Sequence, residues 1–356
     1  MEYTFERDRL AAAPLLQSLV ALNALAPGGQ AVLCGDPKQL GPTLRSPAAA
    51  AGGLAISLLE SSINAAERDL AAASSRGEEC WHPLGSGPFL PWFFMLQRNY
   101  RSSTALLELP SNMFYRDALL ACSAPEEVEA PSLHGALEEV GLPVADGVAC
   151  AFLGLCGEQR REGDSPSYYN ALEASTVTEV VQRLMESGQA VDTDMAVITT
   201  YRRQTFLVRQ MLRARGLHRI RVGVVDDLQG QEARIVIIST VLSRPESLPA
   251  ASLLGDQHVG FWRNPRRMCV AVTRARAMLL VLGHPMVLLQ DASWRALLKH
   301  CAARGSWYGA GSDQLLLHSS GGAAMSHGVG PRPCAFRCAS LFQSDLKTPF
   351  ACSTGA

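Results

Sequence analysis

The sequence predicts an α/β fold, with a parallel sheet flanked by helices over residues 92–310. Short apolar runs that end at Gly, Asp or Thr have the length and composition of buried parallel strands. Segments between these runs carry apolar residues at three- and four-residue spacings, which is the period of a helix. Of the 356 residues, 47% are hydrophobic, which is sufficient for a buried core.

The predicted elements alternate between strand and helix, as in a doubly wound layer. The predicted strands are Ala31–Cys34, Phe93–Leu96, Met195–Thr199, Ile235–Val241 and Met278–Leu282. The predicted helices are Ser103–Phe114, Glu173–Glu186, Gln204–Arg215 and Arg267–Arg274.

The regions around this domain are expected to differ from it. Residues 1–60 contain one strong strand and two Ala/Leu-rich helical segments, too little for a closed sheet, so we expect residues 1–73 to be an incomplete first lobe. Residues 74–91 are rich in Gly, Ser and Pro and are predicted to be a linker. Residues 311–356 are dominated by Gly, Ser, Ala and Pro, which predicts a disordered tail.

Composition excludes several functional classes. The 32 basic and 33 acidic residues nearly cancel, so attraction for nucleic acid must come from local patches. The ten cysteines are scattered through apolar stretches, as expected for reduced, buried thiols in a cytosolic or nuclear protein. Cys334 and Cys338 lack a second pair of ligands, so no metal site is predicted. Residues 1–10 do not resemble a secretory signal and the longest apolar runs are too short for a bilayer, so no membrane is expected.

The first motif, Gly35-Asp36-Pro37-Lys38-Gln39-Leu40, directly follows the predicted strand Ala31–Cys34. Ligands of open α/β sheets bind at the carboxyl ends of strands, where this turn places an acid and an amide. The Gln39 amide can donate to a phosphate oxygen and accept from an attacking water, as the sensing of a terminal phosphate requires. The alternative is an ordinary strand-to-loop turn, because Gly-Asp-Pro is common turn chemistry.

The second motif, Gln97-Arg98-Asn99-Tyr100-Arg101-Ser102, precedes a predicted helix that Ser102 or Ser103 can cap. An arginine at a strand end that faces another lobe can reach a phosphate, because its planar fork matches phosphate geometry. A solvated start of a helix is the alternative.

The third motif, VVDDLQGQE over residues 224–232, leads into the predicted strand Ile235–Val241. Gly230 lets the backbone approach a ligand closely, and Glu232 can accept hydrogen bonds from ribose hydroxyls. A competing interpretation treats Asp226 and Asp227 as a magnesium-binding acid pair, which requires a phosphate-binding loop.

The fourth motif, VAVTRAR over residues 270–276, runs from a predicted helix end into the strand Met278–Leu282. Two arginines in a packed Arg-x-Arg element repel each other, which is costly unless an anion or an acid lies opposite them. A phosphate is the natural partner, and a structural carboxylate is the alternative.

Arginines are concentrated between Met195 and Val225, where the sequence contains no acidic residue. A basic stripe of this kind suits an RNA backbone. The alternative is an amphipathic helix that shows its solvated face. The seven arginines stand at 202, 203, 209, 213, 215, 219 and 221.

Taken in order, the segments GDPKQL, QRNYRS, ITTYRRQ, VDDLQGQE and AVTRAR resemble the later motifs of superfamily 1 helicases. The similarity is to the RNA-acting branch that includes the nonsense-mediated-decay helicases. Residues 161–170, 260–276 and 281–309 are more similar still to the Armitage-like RNA helicases of small-RNA silencing. The resemblance covers residues 25–310 and implies that 92–310 is the second RecA-like helicase lobe and 1–73 a remnant of the first.

The resemblance implies ATP with Mg²⁺ as the cofactor. Gln39 would contact the γ-phosphate, and Arg101 and Arg274 would act as arginine fingers. Glu232 would hold the ribose beside Gly230. The remaining residues implied to bind the nucleotide are Asp36, Tyr100 and Arg276.

The resemblance also implies single-stranded RNA as a partner, small-RNA silencing proteins as further partners, and a cytoplasmic location that includes ribonucleoprotein granules. The turn Thr199-Thr200-Tyr201 departs from the family's usual Thr-Pro-Tyr. The residues implied to contact the RNA backbone are Thr199, Thr200, Tyr201, Arg202 and Arg203.

A phosphate-binding loop needs Gly-Lys-Ser/Thr, but the three lysines of this chain follow Pro37, Leu298 and Leu346. No Asp-Glu step occurs either, so we expect the Mg²⁺ ligands to lie in a first-lobe segment outside these residues. This absence also weakens the magnesium interpretation of Asp226 and Asp227.

Three functions are therefore open. The first is an ATP-dependent RNA helicase lobe that couples hydrolysis to 5′-to-3′ movement on single-stranded RNA, in RNA silencing. The second is a non-catalytic module that binds RNA or a partner, because the phosphate-binding loop is absent. The third is an interaction protein without an RNA role, whose arginine stripe binds an acidic protein surface.

Overall fold

The computed structural model of the chain describes the residues 18, 20, 22–41, 46–75, 94–129, 137–138, 142–144, 147–248, 261–262 and 264–312. Most of the predicted linker and of the predicted disordered tail lies outside these residues, as do Cys334 and Cys338.

The centre of the described fold is a six-stranded sheet in which every neighbouring pair of strands is parallel. Its strand order is β10-β3-β9-β8-β6-β7. The short strands β1 and β2 pair in parallel, and β4 and β5 form an antiparallel hairpin. The strands are β1 Arg98–Asn99, β2 Leu120–Ala121, β3 Cys150–Gly154, β4 Gln159–Arg161, β5 Tyr168–Asn170, β6 Met195–Thr199, β7 Arg221–Val224, β8 Ala233–Ser239, β9 Ala275–Gly283 and β10 Trp307–Gly309.

Several of the described helices begin at a side chain that accepts from their first backbone N–H groups, whereas the helix that follows Tyr201 has no such cap. Ser103 accepts from Leu106 N, Asn170 from Glu173 N, and Asp291 from Ser293 N and Trp294 N. A three-residue helix, Pro47–Ala49, and a π-helical segment, Ala50–Leu54, precede the first long helix. The helices are α1 Leu58–Ser75, α2 Thr104–Tyr115, α3 Pro125–Val128, α4 Ala171–Glu186, α5 Arg202–Ala214, α6 Pro265–Val272, α7 Pro285–Leu288 and α8 Ala292–Ala303.

Both faces of the sheet are covered, which explains why its strands have nearly continuous apolar sequences. In β9, Leu279 and Val281 belong to one core, packed against α2, α6 and α8. Leu280 and Leu282 of the same strand belong to a second core, packed against α4 and α5. Successive strand residues point to opposite faces, so one apolar run serves both cores. The predicted α/β sandwich is confirmed.

Two of the predicted strands are wrong. Ala31–Cys34 has no regular structure, and Val32 is 85% exposed. Of the predicted strand Phe93–Leu96, Phe93 lies outside the described residues and residues 94–96 have no regular structure, with Leu96 88% exposed. A strand needs a hydrogen-bonded neighbour, and no described segment pairs with either run. Apolar composition alone could not supply that neighbour.

Two further expectations concern the burial of the cysteines and the presence of a membrane-spanning helix, and each is assessed for the described residues. Six cysteines are free, and Cys34, Cys122 and Cys156 are exposed, whereas buried thiols were expected. These three lie in segments that do not pack into either core. Among the described helices, none has the length and apolarity to cross a bilayer.

The parallel sheet places two groups of predicted site residues at opposite edges. Glu232 directly precedes β8 and Arg274 directly precedes β9, so both lie at the amino edge. Residues 199–203 end β6 and begin α5, at the carboxyl edge.

Candidate functional site

Two arginines lie beside Glu232 at the amino edge of the sheet. Arg101 Nε donates to Glu232 Oε2 at 2.5 Å, and Arg276 Nε lies 3.9 Å from Glu232 Oε1. The segment that carries Arg101 is fixed to the start of β9, because Ser102 Oγ donates to Ala275 O at 2.8 Å. The Arg101–Glu232 pair is partly exposed, with 33% and 42% of the two side chains accessible. A ligand can therefore reach both groups.

Arg274 is buried, and the acceptors around its guanidinium are all neutral. Nε donates to Val270 O at 3.0 Å and Nη1 to Gln231 O at 3.3 Å. Nη2 donates to Thr273 Oγ1 at 3.2 Å and to Gln39 Oε1 at 3.3 Å. Burial lowers the pKa of Arg274, and the nearby charge of Arg101 lowers it further. The site therefore holds a buried cation that no hydrogen-bonded carboxylate neutralises, which is the environment of an anion-binding residue.

Asp36 fixes the orientation of the Gln39 amide. Asp36 Oδ2 accepts from Gln39 Nε2 at 2.8 Å and from Tyr115 Oη at 2.6 Å, while Oδ1 accepts from Lys38 N at 2.9 Å. Because the amide nitrogen faces the acid, the amide oxygen faces Arg274. Both oxygens of Asp36 are engaged in this way, so its predicted contact with a nucleotide stays a prediction.

Tyr115 belongs to this network, and the sequence analysis missed it. Its hydroxyl contacts Cys269 Sγ at 3.3 Å as well as Asp36. Burial raises the pKa of Tyr115, and its neighbours Cys269 and Asp36 raise it further, so the phenol stays a hydrogen-bond donor. An aromatic residue on an amphipathic helix has the sequence pattern of a core residue, so no motif marks it.

Gly230 and Tyr100 border the site. Gly230 has a φ of 75°, a left-handed conformation that favours glycine, and it lies in the turn that Gln231 N closes on Leu228 O at 3.1 Å. The turn accounts for the glycine, and close approach of a ligand there stays a prediction. Tyr100 is 64% exposed beside Arg98.

The residues present do not fit a magnesium ion. Asp226 pairs with Arg267 at 3.2 Å, and Asp227 Oδ1 lies 3.8 Å from Arg202 Nη2. Asp227 Oδ2 also accepts from Val224 N at 3.2 Å. In the described part of the chain, no group of three or more His, Cys, Asp or Glu residues could hold a metal.

At the carboxyl edge, the predicted RNA-contact segment is held by internal bonds. The buried Thr199 hydroxyl bonds to Thr205 Oγ1 at 2.6 Å, and Thr200 Oγ1 donates to Thr240 O at 2.9 Å. Tyr201 packs edge-on against Tyr168, with 5.4 Å between ring centroids. The side chain of Arg202 is 70% exposed and that of Arg203 is 42% exposed. These two arginines are the segment's accessible cations, and their contact with RNA stays a prediction.

Glu173 supports this segment from within the core, and no sequence motif marked it. Its carboxylate accepts from Ser239 Oγ at 2.7 Å and from Val241 N at 2.9 Å. Gln204 Nε2 donates to Ser239 Oγ at 3.0 Å, which links the carboxylate to the first turn of α5. Burial raises the pKa of Glu173 to about 7, although its hydrogen bonds act in the opposite direction.

The arginine stripe is largely satisfied by other parts of the fold. Arg215 Nη1 donates to Glu179 at 3.0 Å, and Arg219 pairs with Asp192 at 3.3 Å. Arg209 Nε donates to Val222 O at 3.0 Å. The sequence contains no acid within the stripe because the neighbouring elements supply the acids. A stripe that binds RNA along its whole length is therefore not needed to explain these charges.

Comparison with known proteins places this chain in a family. Residues 92–286, more than half of the chain, match a family described as an AAA domain. The RNA helicase Mov10l1 of Homo sapiens is 38% identical over 285 residues, which cover 79% of this chain and 22% of that protein. This chain belongs to the nonsense-mediated-decay-type branch of the superfamily 1 helicases.

Two further relatives are also named as helicases. The Mus musculus RNA helicase Mov10l1 is 37% identical over 285 residues, covering 79% of this chain and 22% of that protein. The ATP-dependent helicase NAM7 of Saccharomyces cerevisiae is 28% identical over 294 residues, covering 81% of this chain and 26% of that protein. The chain spans 19% to 29% of the length of the curated relatives it matches.

Proposed function

We propose that this chain forms a motor lobe of an ATP-dependent RNA helicase, in which Arg274 and Arg101 bind the phosphates of ATP. The observation that carries this proposal is the buried Arg274 guanidinium, whose hydrogen-bond acceptors are all neutral. Glu232 lies close enough for its charge to act on Arg274, but it is not hydrogen-bonded to the guanidinium. Burying a charge without a hydrogen-bonded opposite charge is costly, so the site is suited to bind an anion. A triphosphate supplies that anion and matches the planar fork of arginine.

Gln39 and Arg274 would act on the same phosphate. Gln39 Oε1 accepts from Arg274 Nη2 at 3.3 Å, so the amide lies beside the guanidinium, and the Nε2–H that is not bonded to Asp36 is the group that would donate to a phosphate oxygen. Preorganised donors of this kind stabilise charge that develops during phosphoryl transfer. Asp36 and Tyr115 hold the amide in place and need not touch the nucleotide.

Arg101 and Glu232 would separate when the nucleotide binds. Their contact satisfies each group in the absence of a ligand. On binding, Arg101 would turn to a phosphate and Glu232 would accept from the ribose hydroxyls. Arg276, 3.9 Å from Glu232, can balance the carboxylate after Arg101 leaves. This exchange of partners would couple nucleotide binding to a rotation of the Arg101 side chain.

Hydrolysis requires groups that these residues do not supply. The chain has no Gly-Lys-Ser/Thr, and its described acids form no metal site. Mg²⁺ supplies neutralisation of charge between the β- and γ-phosphates in such reactions. We propose that a further polypeptide segment provides the ligands of Mg²⁺ and the phosphate-binding loop, and that closure of the two parts completes the site.

The proposed movement on RNA uses the opposite edge of the sheet, where Arg202 and Arg203 are exposed. Support comes from Mov10l1, whose name is that of an RNA helicase, and from NAM7, whose name is that of an ATP-dependent helicase. Movement in the 5′-to-3′ direction, a role in RNA silencing and a cytoplasmic or ribonucleoprotein-granule location rest on the resemblance.

The experiment is a chimera of Homo sapiens Mov10l1 in which the matching segment is replaced by this chain's residues. We expect RNA-stimulated ATP turnover, and we expect Arg274→Ala to lower kcat by about 10³-fold, the lower range for an arginine finger. Arg219→Ala removes an exposed surface charge away from the site and should leave turnover unchanged. Unaltered turnover in the Arg274→Ala chimera would refute the assignment.

A second candidate function is a non-catalytic module that binds RNA. The specific observation in its favour is that none of the three lysines stands in a Gly-Lys-Ser/Thr loop. Under this alternative the chimera binds RNA without hydrolysing ATP. Measuring turnover and RNA binding on the same preparation separates the two functions.

A further inference from the structure

The hairpin β4–β5 presents an aromatic ring between two arginines. Arg160 on β4 pairs directly with Tyr169 on β5. Directly opposed residues of an antiparallel pair have side chains on the same face. From the start of α5, Arg203 places its Cζ 6.0 Å from the Tyr169 ring centroid. One face of the hairpin therefore carries a partly exposed ring flanked by two guanidinium groups.

The hairpin is fixed in position. Arg203 N donates to Ser167 Oγ at 2.9 Å, and the Arg203 side chain forms an ion pair with Glu162 in the hairpin turn. At the other end, Gln159 Oε1 accepts from Ser243 N at 2.7 Å and from Arg244 N at 3.0 Å. These bonds join the hairpin to α5 and to the loop after β8. A ligand would meet a surface that is ordered before it binds, which reduces the entropic cost of binding.

Two arginines near this face share one acid. Arg160 and Arg244 both pair with the carboxylate of Glu158, at 3.3 Å and 2.9 Å. The side chain of Arg160 is 62% exposed and that of Glu158 is 55% exposed. Exposed ion pairs contribute little to stability, so Arg160 can exchange its acidic partner for a phosphate.

We propose that the β4–β5 hairpin is a second contact for single-stranded RNA, with a base stacked on Tyr169 and a phosphate bound by Arg160. This inference rests on the proposed RNA binding and extends it beyond residues 199–203. Single-stranded nucleic acid is recognised by aromatic platforms set in basic grooves. The ring of Tyr169 lies beside Arg203, so the two contacts form one continuous surface.

The test measures binding of the full chain to a fluorescently labelled oligouridylate by fluorescence anisotropy at several salt concentrations. We expect Tyr169→Ala to weaken binding by about 5- to 150-fold, the range for loss of one stacked base. Tyr169→Phe keeps the stacking face and should bind as the parent does. We expect Arg160→Ala to lower the dependence of log affinity on log salt by about 0.7, the value for one single-strand phosphate.

Arg219→Ala is the matched control. The exposed fraction of its side chain, 66%, is close to the 62% of Arg160, and each arginine has one acidic partner. Arg219 precedes β7 at the amino edge, so its loss should change neither affinity nor salt dependence. If Tyr169→Ala and Arg160→Ala both bind the oligouridylate with the affinity of the parent, the inference is overturned. The proposed RNA contact at residues 199–203 would not be affected by that result.

Two other outcomes also decide the question. A parent chain that does not bind the oligouridylate would overturn the inference together with the proposed RNA contact. The chain could instead bind polyglutamate as tightly as it binds the oligouridylate, with no change in Tyr169→Ala. That result would indicate an acidic protein as the partner and would overturn the assignment to RNA. The thermal melting of each variant, followed by circular dichroism, establishes that each one is folded.

Discussion

Glu173→Gln should change how the stability of the fold depends on pH. Burial raises the pKa of Glu173 from 4.5 to about 7, so the folded state binds its proton more tightly than the unfolded state does. Between those two pH values the folded carboxyl is protonated and the unfolded one is ionised. The stability that Glu173 contributes is therefore fully present below pH 4.5, and this contribution is lost as the pH rises through about 7.

The size of the effect follows from the shift. One pKa unit corresponds to about 1.4 kcal/mol, so a rise from 4.5 to about 7 corresponds to a loss of roughly 3 kcal/mol. Glutamine does not titrate, so Glu173→Gln should remove this loss. The glutamine amide also replaces a carboxylate oxygen of Glu173 that accepts from Val241 N. This replacement changes the free energy of unfolding by an amount that does not depend on pH.

The assay is urea unfolding of the parent and of Glu173→Gln at a series of pH values from 4.5 to 8. The free energy of unfolding of the variant should rise relative to the parent by roughly 3 kcal/mol across this range. Glu186→Gln, at an exposed position on the same helix, is the control and should follow the parent. A constant difference between parent and Glu173→Gln at every pH would refute the reasoning.

Two further substitutions test the packing around the two edges of the sheet. Tyr115→Phe removes the hydroxyl that donates to Asp36 at 2.6 Å and should lower the free energy of unfolding by about 1 kcal/mol, measured with urea; an unchanged value would contradict the network. Gly283→Ala would place a methyl group 1.9 Å from Thr240 Oγ1 and should cost about 1–3 kcal/mol in the same assay. Thr240→Ala in combination with it removes that contact, so the double variant should recover part of the loss, and a purely additive result would argue against the clash.

The sequence predicted the strands that have long apolar runs. Met195–Thr199 is correct as predicted, and β8 and β9 contain most of the predicted runs. Three strands of the central sheet were missed: β3, β7 and β10. β3 is a buried apolar run that ends at Gly, so its sequence carries the same signal as the predicted strands. β10 has only three residues and is held by its pairing with β3. A strand this short forms only because a neighbouring strand supplies its hydrogen-bond partners, and the local sequence does not show which strand will lie beside it.

The candidate site was predicted in part. The resemblance implied that Gln39 and Arg274 contact the same nucleotide, and their side chains are 3.3 Å apart although they are 235 residues apart in the sequence. Their contact with a nucleotide stays a prediction. The pairing of Arg101 with Glu232 was not foreseen, because each had been assigned a separate ligand group. The role of Asp36 in orienting Gln39 depends on Tyr115, which is 79 residues away and carries no motif.

The most direct test of the account is the binding of ATP by this chain, measured by isothermal titration calorimetry with the parent and with Arg274→Ala. The account predicts that the parent binds and that Arg274→Ala binds about 10- to 150-fold more weakly, as expected for the loss of a charged hydrogen bond. The Arg219→Ala control should bind as the parent does. Equal affinity of the parent and Arg274→Ala for ATP would contradict the claim that the buried arginine binds a phosphate.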